Sequence, residues 1–410
     1  MTESHPEIGR RRVFYIPGYD PIHPRRYREL YRKEGAAQAA ISGYEIGLTP
    51  KTTKGPYGWH VSARIDGQRV EADVQVLVWS DIVRGSMSQS IPATYLQLVR
   101  TAWTYIASGT LRRLMLLRKG PVIAALYPIG MLLAQAVLGI VAGWVVAAGT
   151  ARIFGPWLGV VASAGGMVLG LAVAVMILRW FKRRDGRLFA YYLMHDYAYS
   201  ARLGGANPPE LERRMAEFTD TIGAALLEPV DEVLVVGHSS GAHLAVSILA
   251  DLIRQGRVPA NGPRLAFLSL GQVVPMVSFL PKATRLRADL HYLSSSDALT
   301  WVDVTAPGDG CAFALCDPVA VSGVAPPGKR WPLVFSAQFT RSLSPERWKH
   351  LRWKFFRLHF QYLCAFDRPL DYDYFQITAG PHSLASRYAD RPPSASRIDV
   401  AVSKYTSMAA

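Results

Sequence analysis

Cysteine is scarce in this chain: Cys311, Cys316 and Cys364 are the only ones. Their odd number excludes a closed disulfide framework and their spacing fits no common zinc pattern, so reduced structural thiols are expected. Acidic residues are also short, with 31 Asp and Glu against 46 Lys and Arg. Such an excess can mark a nucleic-acid binder, but here the cations flank an apolar block. Arg112, Arg113, Arg118 and Lys119 precede it, and Arg179, Lys182, Arg183 and Arg184 follow it. That placement suits a membrane surface and argues against nucleic acid. No internal repeat is visible. The first residues, Met-Thr-Glu-Ser-His-Pro-Glu, lack the apolar core of a secretory signal.

What charge there is avoids two long stretches. None occurs from Pro121 to Ala151, nor from Ile153 to Leu178. Each exceeds the roughly 20 apolar residues needed to cross a bilayer as a helix. Arg152, Gly155 and Pro156 are expected to break them into a hairpin with spans at about 122–148 and 156–178. Basic residues at both outer ends put those ends, both termini and the globular part on the cytoplasmic side, at the inner membrane were the source bacterial. Trp157 and Trp180 suit the interfaces. Gly139-x-x-x-Gly143 and Gly166-x-x-x-Gly170 allow close helix approach, within the hairpin or in a homodimer. A buried helical pair in a soluble core is the competing reading, and the length of both runs disfavours it. Residues 93–118 read as a helix of mixed aromatic and basic character.

Strand and helix signals alternate around this insertion. Arg12–Pro17, Val70–Ile82, Val233–Gly237, Leu265–Leu270, Leu299–Val304, Pro332–Ser336 and Tyr372–Thr378 read as strands, with helices at about 25–40 and 240–255 and a helical region at 188–227 interrupted at Gly204–Pro209. Gly55, Pro56, Gly58 and Asp66-Gly67 mark a hairpin at the sheet margin. The expected fold is α/β, a mainly parallel sheet flanked by helices and interrupted by a two-helix transmembrane hairpin. The expected parts are 1–92 and 186–388 for the α/β domain, 93–185 for the insertion, and a mobile Pro/Ser-rich tail at 389–410.

The chemistry concentrates at Val-Leu-Val-Val-Gly-His-Ser-Ser-Gly-Ala, residues 233–242. A buried strand, Gly-x-Ser-x-Gly and a helical pattern in sequence make a nucleophile elbow that lifts Ser239 to the sheet's carboxyl edge. The crowded turn requires small neighbours, met by Gly237 and Gly241. Amides at the start of the following helix face developing negative charge.

A serine nucleophile needs a base and an orienting acid. His382 follows the expected final strand and is the favoured base, ahead of His238, His243 and His359. Asp309, in a Pro-Gly loop, is the favoured acid over Asp303 on the strand, with Asp317 the alternative. The amides of Ser240 and Tyr19, the latter beside Gly18, are the expected oxyanion donors. Arg347–Phe366 reads as a basic-aromatic amphipathic helix, either turned to lipid headgroups or packed into the core.

These residues, in the order Tyr19, Ser239, Asp309, His382, resemble the α/β-hydrolase superfamily, with an elbow similar to its esterase and lipase branch. The resemblance implies a serine hydrolase free of metal and cofactor, cleaving lipid or other apolar acyl esters through an acyl-enzyme. A non-catalytic membrane scaffold, an acyltransferase and a peptidase are the alternatives.

Overall fold

The computed structural model describes residues 7–51, 53–87 and 90–409, so most of the N-terminal stretch read for a signal lies outside the described residues. The chain divides into two compact units. One comprises residues up to Arg84, Ser108–Pro121 and Leu203 onward; the other comprises Gly85–Ala107 and Val122–Arg202. The boundaries therefore differ from the expected ones. Thr110–Leu117 folds with the sheet, and Ala190–Ala201 with the apolar hairpin.

The first unit holds an eight-stranded sheet. Its strands are β1 (Arg10–Ile16), β2 (Glu45–Pro50), β3 (Gly58–Ile65), β4 (Gln68–Val76), β5 (Glu232–His238), β6 (Arg264–Leu270), β7 (Thr300–Thr305) and β8 (Leu333–Ser336). The spatial order is β2-β3-β4-β1-β5-β6-β7-β8. Pairing is parallel from β4 through β8 and antiparallel at the β2-β3-β4 margin. β5 is buried at every position, which is why its centre, Val233–Val236, is continuously apolar rather than alternating. Val13, Tyr15, Leu234, Val236, Leu268, Leu270, Val302 and Val304 share one core with Tyr31, Trp59 and Phe375.

Four expected elements differ. The helix read over 93–118 breaks at Gly109 into Ile91–Ala107 and Thr110–Leu117. The Val70–Ile82 strand ends at Val76, and Ser80 opens a helix. Tyr372–Thr378 is no strand: Tyr374–Ala379 is a helix, capped by the Asp373 carboxylate, which accepts from the amides of Phe375 and Gln376. A short apolar run has no periodicity to separate the two forms, and the Asp cap decides it. The tail is tied down rather than loose. The amides of Ser394, Ile398 and Val402 donate to Val334, Leu315 and Val321 carbonyls at 2.9, 2.7 and 3.0 Å.

The second unit contains the helices Lys119–Leu158 and Val160–Arg183, both long and apolar enough to cross a membrane. Only 22% and 17% of their most apolar windows are buried, unlike core helices. The turn falls at Gly159, with φ 52°, rather than at Arg152–Pro156. Pro156 forgoes its own bond to the Arg152 carbonyl but the helix continues past it to Leu158, while Gly159 accepts the positive φ of the turn. Gly139 and Gly143 face Ala174 and Gly170, and Gly166 faces Ala147. The glycine seam is thus closed within the hairpin. Helices Ile91–Ala107 and Ala190–Ala201 pack through Leu98, Leu132, Tyr191 and Met194.

Candidate active site

The elbow forms at the carboxyl end of β5. Ser239 has φ 58°, a left-handed conformation that costs a non-glycine residue about 1–2 kcal/mol. The surroundings hold it there. Its amide donates to the Leu270 carbonyl at 2.9 Å, and the Ala242 amide donates to its carbonyl at 3.1 Å. A Cβ on Gly237 would come within 2.8 Å of Ala242 Cα, and one on Gly241 would overlap the Ile16 carbonyl oxygen. Both glycines are therefore required by close backbone approach. Ser239 itself is half-buried and reachable.

The Pro17-Gly18-Tyr19 loop lies against this turn. A Cβ on Gly18 would stand 3.0 Å from Ser239 Cβ and 3.3 Å from Ser240 Oγ. The Tyr19 amide donates to Ser240 Oγ at 2.8 Å, so the expected oxyanion donor is engaged by a hydroxyl in this state. The Ser240 amide heads the helix Gly241–Arg254 and donates no hydrogen bond among the described residues.

Asp309 follows β7, as expected, but its partner is His359. The His359 Nδ1 stands 2.7 Å from Asp309 Oδ2, and both side chains are buried. The Tyr362 hydroxyl donates to the same oxygen at 3.0 Å, and the Cys311 amide donates to Oδ1 at 2.9 Å. Burial, first, and the neighbouring Asp309 push the Tyr362 phenol well above its ordinary range, keeping it a donor. A carboxylate can only accept, so the geometry assigns the imidazole hydrogen to Nδ1 and leaves Nε2 as the acceptor. That Nε2 is buried without a hydrogen-bond partner. The ring lies near the elbow strand without bonding the serine: its centroid is 4.8 Å from that of His238, and a Cβ on Gly271 (φ 53°), the residue after Leu270, would lie 3.1 Å from His359 Cε1, while no hydrogen bond joins Nε2 to Ser239.

His238 packs against His359. Its Nε2 donates to the His359 carbonyl at 3.0 Å, and its Nδ1 is 3.3 Å from the Tyr15 hydroxyl. Burial, chiefly, with the neighbouring His359 as second cause, lowers its pKa to about 3, so it stays neutral. His243, in the first turn of the elbow helix, is also lowered by burial, to about 4.

His382 is not brought to the elbow. Its carbonyl accepts from Arg11 Nη2 at 2.6 Å, and Arg11 pairs in register with Glu232 at the amino end of β5. Ser239 lies beyond the other end, roughly 20 Å along the strand. The His382 ring is 52% exposed beside Asp66. The misplacement follows from treating Tyr372–Thr378 as the final strand; the last strand is β8, and His359 is on the connection after it.

The alternative acids are occupied elsewhere. Asp317 caps Pro318–Val321, accepting from Val319 and Ala320 amides, and pairs with Lys329 at 2.6 Å. Asp303 is buried within the sheet and accepts from Ser269 Oγ. Asp309, Cys311 and His359 place ligand atoms within 4.8 Å of one another, a set able to take a metal ion. The 2.7 Å bond between two of its members, however, is the geometry of a hydrogen-bonded acid–imidazole pair. Arg347–Phe366 is not one helix but breaks into Pro345–Leu351, Phe355–His359 and a short 3-10 turn. Compared with protein-family models, curated proteins and solved structures, the chain matches none.

Proposed function

We propose that this chain is a serine hydrolase of the α/β-hydrolase type, anchored in the membrane by a two-pass hairpin and cleaving carboxylic esters of apolar acyl groups. The observation that carries the reading is the buried Asp309–His359 pair beside the strained Ser239.

In this mechanism His359 Nε2 takes the Ser239 proton as Oγ attacks the ester carbonyl. Asp309, held by Tyr362 and the Cys311 amide, stabilises the imidazolium and fixes its orientation. The Ser240 amide receives the oxyanion, joined by the Tyr19 amide once the Ser240 hydroxyl turns away. His359 then protonates the leaving alkoxide, and water, deprotonated by the same imidazole, releases the acid from Ser239.

Long uncharged runs with basic outer ends, broken only by Arg152 ahead of the turn, support a cytoplasmic catalytic part, with lipid or another apolar ester as substrate. A homodimer through the hairpin would need a face other than the closed glycine seam. The test is labelling by a fluorophosphonate probe in detergent or nanodiscs. Wild type should label and Ser239→Ala should not; equal labelling of both would remove Ser239 from the mechanism.

A further inference from the structure

The connection that carries His359 has an unusual surface. Trp353 is 71% exposed and Phe355 is 48% exposed, between the helices Pro345–Leu351 and Phe355–His359. Lys349, Arg352, Lys354 and Arg357 are exposed around them, and none pairs with a carboxylate among the described residues. No Asp or Glu occurs from Arg347 to Phe366. Uncompensated cations interleaved with exposed aromatic rings are the composition of a segment that settles at a lipid headgroup layer.

Single-stranded nucleic acid could also be met by cations and rings, but the position of this surface favours lipid. A Cβ on Gly310 would lie 3.2 Å from the Phe355 ring, and one on Gly120 would lie 3.2 Å from Gly310 Cα. Gly120 is in the first turn of Lys119–Leu158, the first of the two apolar helices. The basic-aromatic segment therefore packs, within its own compact unit, beside the residues from which a membrane-crossing candidate departs.

The same surface grips both members of the acid–imidazole pair. Gly308 packs under the Trp348 ring and Gly310 under Phe355, with Asp309 between them. His359 is the last residue of the helix that Phe355 opens.

We infer that Lys349–Arg357 is a docking surface for an anionic bilayer, and that docking sets the position of Asp309 and His359 relative to Ser239. The positioning half rests on the hydrolase reading; the docking half does not. The experiment uses the full chain in nanodiscs of phosphatidylcholine alone or with phosphatidylglycerol. Hydrogen exchange of residues 347–357 reads docking, and the fluorophosphonate labelling rate reads positioning. Exchange should slow on the order of tenfold with phosphatidylglycerol, since each Lys or Arg at an anionic surface contributes about fivefold in binding. The combined variant Lys349→Gln, Arg352→Gln, Lys354→Gln, Arg357→Gln should lose that protection, and labelling should follow protection.

Protection independent of phosphatidylglycerol, or retained in the variant, overturns docking. So does equal protection by a single-stranded oligonucleotide in phosphatidylcholine discs. Docking with labelling at the same rate in both discs overturns positioning. Docking with no labelling in any disc supports the surface and refutes the hydrolase reading alone.

Discussion

Asp309 and His359, fifty residues apart in the chain, meet through a buried 2.7 Å hydrogen bond, and the His359 ring lies 4.8 Å, centroid to centroid, from His238, the residue before Ser239. His359→Ala should therefore remove nearly all fluorophosphonate labelling, because without a base the Ser239 hydroxyl is a weak nucleophile at neutral pH. His382→Ala should label like wild type, since that ring is half exposed beside Asp66 at the far end of the sheet. The reverse pattern would return His382 to the base role and displace the proposed triad.

The carboxylate's contribution can be separated from its hydrogen bonds. Asp309→Asn keeps the shape but presents an amide that no longer fixes Nδ1 as the donor. Ester turnover should fall roughly 10³–10⁴-fold. Tyr362→Phe removes one of the donors to Oδ2 and leaves the charge, so a smaller loss of about tenfold is expected, with binding little changed. Equal losses for the two variants would mean that Asp309 acts as a packing residue.

Much of this site is legible in the chain. The β5 run, the Gly-x-Ser-x-Gly turn and the apolar face of the following helix sit together in sequence, so local pattern suffices to find Ser239. Asp309 is legible too, because a Pro-Gly loop after a strand is itself a local signal. The proposed base is different. His359 lies in a segment whose aromatic and basic residues resemble any amphipathic surface, and its role depends on contacts with Asp309, His238 and Gly271, all distant in sequence. The Asp373 cap that makes Tyr374–Ala379 helical hides the end of the strand order, and with it the position from which a histidine can reach the elbow. The hairpin's two apolar runs are equally plain, whereas its turn at Gly159 depends on a backbone angle that composition does not encode.

The Gly18 loop gives a test of elbow geometry that leaves the nucleophile in place. In Gly18→Ala the new methyl would lie 3.0 Å from Ser239 Cβ, so the loop must retreat by a few tenths of an ångström. Labelling should slow by about tenfold, because small displacements of a reacting group are costly, while thermal stability changes little. Gly241→Ala is harsher, since its methyl overlaps the Ile16 carbonyl, and overpacking there should destabilise by about 1–3 kcal/mol or more. Normal labelling in Gly18→Ala would show that the loop does not bound the site.

Asp303 makes a stability prediction independent of catalysis. Burial inside the sheet, as the main cause, raises its pKa from the ordinary 3.8 to about 8, against the lowering effect of the Ser269 hydroxyl. The Trp301 indole donates to Ser269 Oγ at 3.0 Å, leaving the Ser269 hydrogen for Asp303. Between about 4 and 8 the folded protein holds a proton that the unfolded chain has released. Stability contributed by this group therefore falls as pH rises through that window, and the full cost of a buried charge is present above it. Asp303→Asn keeps an oxygen acceptor for Ser269 and cannot ionise. Its Tm should lose less than the wild-type Tm between pH 5 and pH 9. The gap should reach at least a few degrees, since about 1 kcal/mol moves Tm by roughly 2–4 °C in a domain of some two hundred residues. Parallel Tm curves for the two proteins across that range would mean that Asp303 is ionised in the folded chain as it is in the unfolded one.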